Sequence, residues 1–246
     1  MLDSVLVERI SANLFTVQSQ IAATCQRAGR AVESVQLVTV TKGQSLAVIE
    51  AVLQAGADWL GENYPEETLP KIMEIGDRYP VQWHMIGHLQ RRKAKIVAQH
   101  FVMLESLDSV DLALRMDRLA AENGRKLPVL LEINVSGEES KGGFCGWEEE
   151  RWDELAVELS PVMRLANLEV CGLMTMPPFS EDPETVRPFF RRLAMLKGYL
   201  SERFSSKDLS HLSMGTSVDY QTAIEEGATI VRIGTAIVGP RPKKLV

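Results

Sequence analysis

Short apolar segments alternate with longer helical patterns along almost the whole of this 246-residue chain, and this alternation restricts its fold more than any other feature. Eight segments have the length and apolar content of buried strands, and the stretches between them carry apolar residues at helical spacing. Such a repeat indicates a parallel sheet with helices on both faces. The candidate strands are 36–41, 58–61, 82–86, 101–105, 128–135, 168–175, 209–213 and 229–233.

Two closures suit such a sheet, a (β/α)8 barrel and a doubly wound open sheet. The number of strands and a length near 250 residues favour the barrel. Residues 2–25 place Leu2, Leu6, Ile10 and further apolar residues at helical spacing before the first strand. No linker rich in Pro, Gly or Ser divides the chain. The predicted fold is therefore α/β, a single (β/α)8 TIM-type barrel domain over residues 1–246 with an extra N-terminal helix.

Charge and composition argue against several classes of function. The chain has a net charge of −6 at pH 7, which disfavours nonspecific binding to nucleic acid. No apolar stretch reaches the roughly 20 residues of a membrane span, and the N-terminus lacks the pattern of a signal peptide. The three cysteines lie far apart with no CxxC pair. Reduced thiols in a cytoplasmic protein are the simplest interpretation.

Two segments allow more than one interpretation. Arg91, Arg92, Lys93 and Lys95 form a basic cluster. It is typical of a solvated helix face, but it would also serve as a positive rim that steers anionic ligands toward a nearby mouth. The loop at 134–144 is rich in small and polar residues. It is either a flexible connection or a mobile cover over that mouth.

Ligands of parallel barrels gather where the strands end, and the first strand ends in Thr41-Lys42-Gly43. Partial burial at this position would disfavour the ammonium and lower the pKa of the lysine. A neutral amine can attack an aldehyde and form a Schiff base. The alternative is a lysine that buries its stem and keeps its charge in solvent, and position alone favours this alternative, because perturbed lysines are uncommon.

Small and hydroxyl-bearing residues follow the last two strands. The seventh strand leads into Ser213-Met214-Gly215-Thr216-Ser217 and a helix predicted at 218–226, with Ser217 as its N-cap. The eighth strand leads into Gly234-Thr235. Each segment alone is a common capping pattern, but together they occupy the usual phosphate site of a barrel.

Arg232 and His84 are predicted to lie within strands. Because Arg232 alternates with apolar neighbours, it faces the barrel interior, where it needs a ligand acceptor or an acid such as Glu132. His84 and His88 have the spacing of a metal-binding pair, but the segment reads as a strand end with an intervening glycine, so we expect no metal site. The default for His84 alone is a hydrogen-bonded core histidine.

These features come together only in a closed barrel, where the first strand neighbours the eighth. Lys42 then lies close to the predicted phosphate site. A phosphorylated aldehyde would bridge the two, and pyridoxal 5'-phosphate (PLP) is the common cofactor of that description.

The sequence resembles the pyridoxal-phosphate homeostasis protein family, which has the fold of the alanine racemase N-terminal domain. The matching stretches cover nearly the whole chain in order. They are VTVTKGQ at 38–44, GENYPEE at 61–67, WHMIGHLQRRK at 83–93, ESLDS at 105–109, INVSGEESKGGF at 133–144, GLMTMPPFSEDPE at 172–184, LSMGTSVDYQTAIEEGAT at 212–229 and VRIGTAIVG at 231–239.

The resemblance implies that PLP is held as a Schiff base on Lys42, with Arg232 close to the pyridine nitrogen and with Asn63 and His84 lining the ring. The phosphate would be held by Ser213, Gly215, Ser217, Gly234 and Thr235. The family is usually monomeric and is tied to PLP supply and amino-acid balance, without an established reaction. PLP-dependent apo-enzymes would be the recipients.

Three positions depart from the usual family pattern. Thr39-Val40-Thr41-Lys42 stands where Ser-Lys-Thr-Lys is more common, and Val218-Asp219 stands where two acids are usual. His88 stands where the family often has proline. The change at His88 alters a residue at the mouth, so it leaves ligand selectivity there open.

The predicted function is therefore PLP binding and intracellular PLP homeostasis rather than catalysis. The alternative is a small fold-type III PLP enzyme such as an amino-acid racemase. Racemases of this type take their second base from an additional β domain and a dimer partner, for which we expect no room after Val246. A cationic Arg232 beside the ring nitrogen would also weaken the ring as an electron sink.

Overall fold

The barrel is built from parallel strands in the computed structural model, which describes residues 4–205 and 207–241. The strands of the described residues are β1 (Gln36–Val40), β2 (Trp59–Glu62), β3 (Gln82–Met85), β4 (Met103–Leu107), β5 (Leu127–Asn134), β6 (Phe144–Cys145), β7 (Leu168–Met174), β8 (His211–Ser213) and β9 (Ile230–Ile233). All except β6 form one ring, which closes where β4 pairs with β5 and β9 pairs with β1. The ring confirms the (β/α)8 barrel over the open sheet.

Helices surround this ring. The α-helices of the described residues are α1 (Ser4–Arg27), α2 (Leu46–Gln54), α3 (Pro65–Ile75), α4 (Ala94–His100), α5 (Val110–Glu122), α6 (Trp152–Met163), α7 (Arg187–Arg203), α8 (Tyr220–Glu225) and α9 (Thr235–Val238). Short 3-10 helices occur at Val32–Ser34, Gly76–Arg78, Arg91–Lys93, Glu149–Arg151 and Pro183–Val186. The additional helix α1 packs against α2, α8 and α9, because its buried face repeats apolar residues at helical spacing.

All eight predicted strands are present, with ends within two residues of their predicted positions. The sequence did not indicate β6, because a two-residue strand has no period of its own; it pairs with the end of β5. The helix predicted at 2–25 corresponds to α1, and its residues 2 and 3 lie outside the described residues. Residues 1–3, 206 and 242–246 of the predicted domain also lie outside them.

Apolar side chains divide into an inner and an outer core. The inner core fills part of the barrel with Val38, Met103, Leu130, Met174 and Ile230. The outer core is larger and lies between the strands and the helices. The two cores follow from the two-residue alternation of the strands, which sends successive side chains to opposite faces.

Polar side chains occupy the rest of the interior toward the carboxyl ends of the strands. His84, Glu105, Ser213 and Arg232 are all almost completely buried and are connected by hydrogen bonds or an ion pair. The inward direction predicted for Arg232 is thus observed. No helix of the described residues is long and apolar enough to cross a bilayer.

Candidate functional site

A cavity of about 470 Å³ opens at the carboxyl ends of the strands, where barrels bind their ligands. Six of the nine predicted site residues line it: Lys42, Asn63, Ser217, Arg232, Gly234 and Thr235. The other three do not line it: His84, Ser213 and Gly215. His84 and Ser213 are fully buried beneath this cavity, and Gly215 lies in the loop behind it.

Lys42 lies at the rim next to the loop that follows β9. The parallel register pairs Thr39 with Ile233, so the two residues before Lys42 come level with the glycine and threonine that follow β9. A Cβ atom placed on Gly234 would stand 3.3 Å from the Val40 carbonyl oxygen. This close approach of the two chains favours a small residue there. The predicted meeting of the amine and the small-residue loops is therefore present.

The environment of Lys42 favours its neutral form. Burial, together with the positive charges of Arg241 and Arg232, lowers the pKa of Lys42 to about 8, against the opposing effect of Glu62. A group with this pKa is partly neutral near physiological pH, whereas an ordinary lysine is almost fully charged. A lowered pKa of this kind is what a Schiff-base lysine requires.

The loop after β8 turns at Gly215, which has φ of +96°. A Cβ atom there would stand 2.7 Å from Ala223 Cβ and 2.9 Å from Tyr220 Cα. Only glycine lets this loop lie so close to α8 while its other face borders the cavity. The backbone N–H of Arg232 donates to the Gly215 carbonyl at 3.0 Å, which ties the loop to β9.

The prediction that Ser217 caps a helix at 218–226 is wrong. Helix α8 begins at Tyr220 with Asp219 in the N-cap position. The Ser217 hydroxyl instead accepts from the backbone N–H groups of Gly234 and Ala236, both at 3.3 Å. These donors come from the loop after β9, which the chain order of residues 213–226 does not reveal. Ser217 therefore joins the two small-residue loops that border the cavity.

Arg232 donates hydrogen bonds to three acceptors. Its guanidinium donates to the Thr175 carbonyl at 2.8 Å, to the Met176 sulfur at 2.9 Å and to the Ser213 hydroxyl. Its acidic partner is Glu105, at 3.8 Å. The sequence suggested Glu132 as the acid, but the ion pair forms with Glu105 on β4.

Glu105 is the main site residue that sequence reasoning missed. Its carboxylate accepts from His84 Nδ1 at 2.6 Å and from the Ser213 hydroxyl at 2.6 Å, and it is fully buried. Burial alone would raise the pKa of Glu105, but the contacts with His84, Arg232 and Ser213 outweigh it and lower the pKa. The available signal was the alternation in β4, which places Met103 and Glu105 on one face.

His84 satisfies the default expectation of a hydrogen-bonded core histidine. Its Nδ1 bonds Glu105, and Trp59 packs against its ring at 5.1 Å between centroids. Its Nε2 is one of the buried side-chain atoms without a hydrogen-bond partner in the described residues. His84 does not line the cavity. It is connected to Arg232 at the cavity wall by hydrogen bonds through Glu105 and Ser213.

Asn63 lies at the cavity wall with an unpartnered oxygen. Its Oδ1 is buried and has no hydrogen-bond partner in the part of the chain that the structure describes. A Cβ atom on Gly87 would stand 2.7 Å from Asn63 Cγ, so the glycine makes room for the amide. A buried acceptor without a donor at a cavity wall is suited to a ligand that donates.

Further residues line the cavity, and of these only His88 was expected at the mouth. They are Val40, Ile86, Gly87, His88, Glu132, Met176, Phe179, Thr216, Val218 and Arg241. Burial raises the pKa of Glu132, the one acidic side chain among these residues, whereas Lys42, Arg232 and Arg241 are basic. The wall is therefore apolar in part and positive in balance.

The two ambiguous segments lie outside the cavity wall. Arg91 pairs with Asp111 at 3.3 Å, and Lys93 pairs with Glu66. In the loop at 134–144, the Asn134 side chain accepts from the backbone of Ser136 and Gly137. None of the described residues of either segment lines the cavity. The described residues also contain no group of side chains arranged to hold a metal ion.

Comparison with known proteins first defines the class. A family model described as the alanine racemase N-terminal domain matches residues 17–242. An alanine racemase of Clostridium difficile shares the fold at 16% identity with a TM-score of 0.71, over 97% of this chain and 61% of that chain. Fold and site therefore place the protein among barrels of the alanine racemase N-terminal domain type.

Closer relatives then give the family. The pyridoxal phosphate homeostasis protein of Aquifex aeolicus is 41% identical over 228 residues, 93% of this chain and 96% of that relative. The protein of the same name from Escherichia coli is 37% identical over 237 residues, 94% and 97% of the two chains. PipY of Synechococcus elongatus PCC7942, solved with PLP bound, superposes with a TM-score of 0.81 at 31% identity, over 94% of this chain and all of that one. The chain belongs to the pyridoxal phosphate homeostasis protein family.

Proposed function

We propose that this protein binds PLP covalently through Lys42 and serves the intracellular balance of PLP. The observation that carries the proposal is the Lys42 amine, whose pKa is lowered to about 8 and which shares one cavity with Ser217, Gly234 and Thr235. The related PipY was solved with PLP bound, which supports the same ligand here.

The residues of the cavity fit this ligand. Lys42 supplies a reactive amine, and Arg232 and Arg241 supply positive charge to a ligand that carries a phosphate. Asn63 offers a buried oxygen without a partner. The volume of about 470 Å³ lies within the usual range of small-molecule sites.

When bound, PLP supplies an aldehyde for an amine and a phosphate for an anion site. Lys42 would form the covalent bond, and Ser217, Gly234 and Thr235 would border the phosphate. Gly215 would let the loop after β8 approach from behind. Ser213 would act one layer deeper, because its hydroxyl already contacts Glu105 and Arg232.

The buried network favours storage of PLP over amino-acid chemistry. Glu105 holds Arg232 in the cavity as a cation. A cation near the ring nitrogen would oppose its protonation, so the ring would be a weaker electron sink. Asn63 would border the ring, and His84 would act on the site through Glu105. The racemase alternative gains no support from this arrangement.

Equilibrium dialysis of the purified protein against PLP tests the proposal. Wild type is expected to retain about one PLP per chain and to show an absorbance band distinct from that of free PLP. Lys42→Ala is expected to lose that band. Lys95→Ala is the matched control, because Lys95 is exposed and lies outside the cavity. Equal bands in wild type and Lys42→Ala would refute the assignment.

We also propose a cytoplasmic monomer that passes PLP to PLP-dependent apo-enzymes. The family resemblance and the three free cysteines of the described residues support this setting. Sedimentation at several protein concentrations tests the monomer, and a concentration-dependent increase in mass would contradict it. Reactivation of a purified apo-enzyme by the PLP-loaded protein tests the transfer.

A further inference from the structure

Arg241 lines the cavity beside Lys42, and neither the strand ends nor the family resemblance assigns it a role. Its stem passes Gly43, the residue after Lys42: Arg241 Cδ lies 3.6 Å from the position that a Cβ atom would take on Gly43. Gly43 has φ of +72°, so the chain turns sharply there. The guanidinium and the amine therefore belong to one mouth.

No carboxylate of the described residues forms an ion pair with Arg241. Arg187 forms ion pairs with three glutamates at 2.7–2.9 Å, and Arg232 pairs with Glu105. Among the described residues Arg241 forms no such pair. On a chain with a net charge of −6, an unpaired guanidinium at the mouth of a positive cavity calls for an anion.

Charged and titratable groups face Lys42 from several elements. They are Arg241 after α9, Arg232 on β9, Glu62 on β2, Glu132 on β5 and His88 after β3. The two arginines lower the pKa of Lys42, and Glu62 opposes them. Like charges beside an amine are unfavourable until an anion neutralises one of them. The site is thus prepared for a ligand that carries negative charge as well as an aldehyde.

We propose that Arg241 binds the phosphate of the aldehyde that joins Lys42, and that it thereby selects phosphorylated over unphosphorylated aldehydes. The proposal rests on the proposed function and adds a specificity residue to it. A guanidinium binds phosphate through two parallel hydrogen bonds. The loops after β8 and β9 border the same anion, so Arg241 would close the side next to Gly43.

The test compares PLP with pyridoxal, which has the aldehyde and lacks the phosphate. Affinities of both are measured by absorbance for wild type, Arg241→Gln, Arg241→Lys and the control Arg164→Gln. Arg164 is exposed and follows the end of α6, and it does not line the cavity. Circular dichroism and the thermal midpoint show whether each variant is folded.

We expect Arg241→Gln to weaken PLP binding about tenfold or more, the size of a hydrogen bond between charged groups. Pyridoxal has no phosphate for Arg241 to bind, so the substitution affects pyridoxal binding only through the pKa of Lys42. We therefore expect pyridoxal binding to change by less than about threefold. Arg241→Lys is expected to fall between wild type and Arg241→Gln. Equal losses for both ligands, or unchanged PLP binding, would overturn the proposal.

Inorganic phosphate provides a readout that does not need the loaded protein. In wild type, phosphate is expected to protect Lys42 from modification by an uncharged reagent that reacts with amines. In Arg241→Gln, about tenfold more phosphate is expected to be needed for the same protection. Equal protection in both would contradict a phosphate contact. If wild type forms no adduct with PLP at Lys42, the proposed function fails; if wild type and Arg241→Gln bind alike, only the role of Arg241 fails.

Discussion

Lys42 stands in an environment that opposes its charge. Burial and two arginines lower its pKa from 10.5 to about 8, so the folded protein binds the proton of this amine less tightly than the unfolded chain does. Such a cost is typical of functional positions, where reactivity is bought with stability. The effect of Lys42 on the free energy of unfolding can therefore be measured without a ligand.

Lys42→Gln is therefore expected to stabilise the ligand-free protein at pH 7 by about 1–3 kcal/mol, since one pKa unit corresponds to about 1.4 kcal/mol. The cost of the charge is full below the folded pKa of about 8 and disappears as the pH rises toward the ordinary value of 10.5. Urea unfolding at pH 7 and pH 10 measures the difference, with Lys95→Gln as control. A stability gain that does not shrink with pH would contradict the account.

The Glu105–Arg232 pair is the second prediction at this scale. Both side chains are almost completely buried, and removal of one partner leaves the other charge uncompensated. Glu105→Gln is expected to lower the free energy of unfolding by about 3–5 kcal/mol, as measured by urea unfolding. Glu138→Gln is the control, because its pair with Lys141 is long and partly exposed, and it is expected to cost less than about 1 kcal/mol.

The double variant Glu105→Leu with Arg232→Met distinguishes an ion pair from general damage to the barrel. Apolar residues of similar volume replace buried ion pairs at little cost. The double variant is therefore expected to recover part of the lost stability, because His84 and Ser213 still lose their acceptor. A double variant as unstable as Glu105→Gln would argue against the pair.

The sequence alone identified some residues of the site and missed others. Lys42 and Arg232 were predictable because one ends an apolar strand and the other alternates within one. Glu105 was not, because its partners come from β3, β8 and β9. Which side chains meet across a barrel depends on strand tilt and register, which no single segment encodes.

At the scale of elements, the strands could be predicted and the loops could not. Each strand is a short apolar run with a two-residue alternation, so its own sequence is sufficient. Ser217 shows the limit for loops: it resembles an N-cap, but its hydroxyl accepts from backbone N–H groups after β9. Where a hydroxyl can bond to either of two groups, the tertiary structure decides which hydrogen bond forms.

The loop after β8 allows a matched pair of glycine variants. Gly215 and Gly227 both have positive φ, +96° and +99°, so alanine costs roughly 1–2 kcal/mol in either position. At Gly215 a Cβ atom would also stand 2.7 Å from Ala223 Cβ, whereas at Gly227 the nearest atom is 3.8 Å away. Gly215→Ala is expected to weaken PLP binding at least tenfold.

Gly227→Ala is expected to leave PLP binding within about twofold of wild type, since it strains only the end of α8. Dialysis measures the affinities, and thermal unfolding confirms that both variants are folded. Equal affinities of the two variants would show that the loop does not need the close approach seen at Gly215.

For the whole molecule, closure of the barrel brings the parts of the site together. Pairing of β9 with β1 places the loop after β9 beside Lys42, although about 190 residues of sequence separate them. A doubly wound open sheet would place the first strand inside the sheet and the last strand at an edge, away from it. The position of the cavity therefore followed from the number and order of the strands, while its charge balance required the structure.

The same closure brings Glu105 to Arg232, and a cationic Arg232 near the ring nitrogen would disfavour amino-acid chemistry. Purified protein loaded with PLP and supplied with several L-amino acids is expected to produce no D-enantiomer above the level of free PLP, by chiral chromatography. Substantial racemisation that disappears in Lys42→Ala would contradict the storage function and favour the racemase alternative.

The most direct measurement is borohydride reduction of the PLP-treated protein followed by peptide mapping. The account predicts one pyridoxyl group per chain on the peptide that contains Lys42. No trapped group on that peptide, or a group mainly on another lysine, would contradict the central claim.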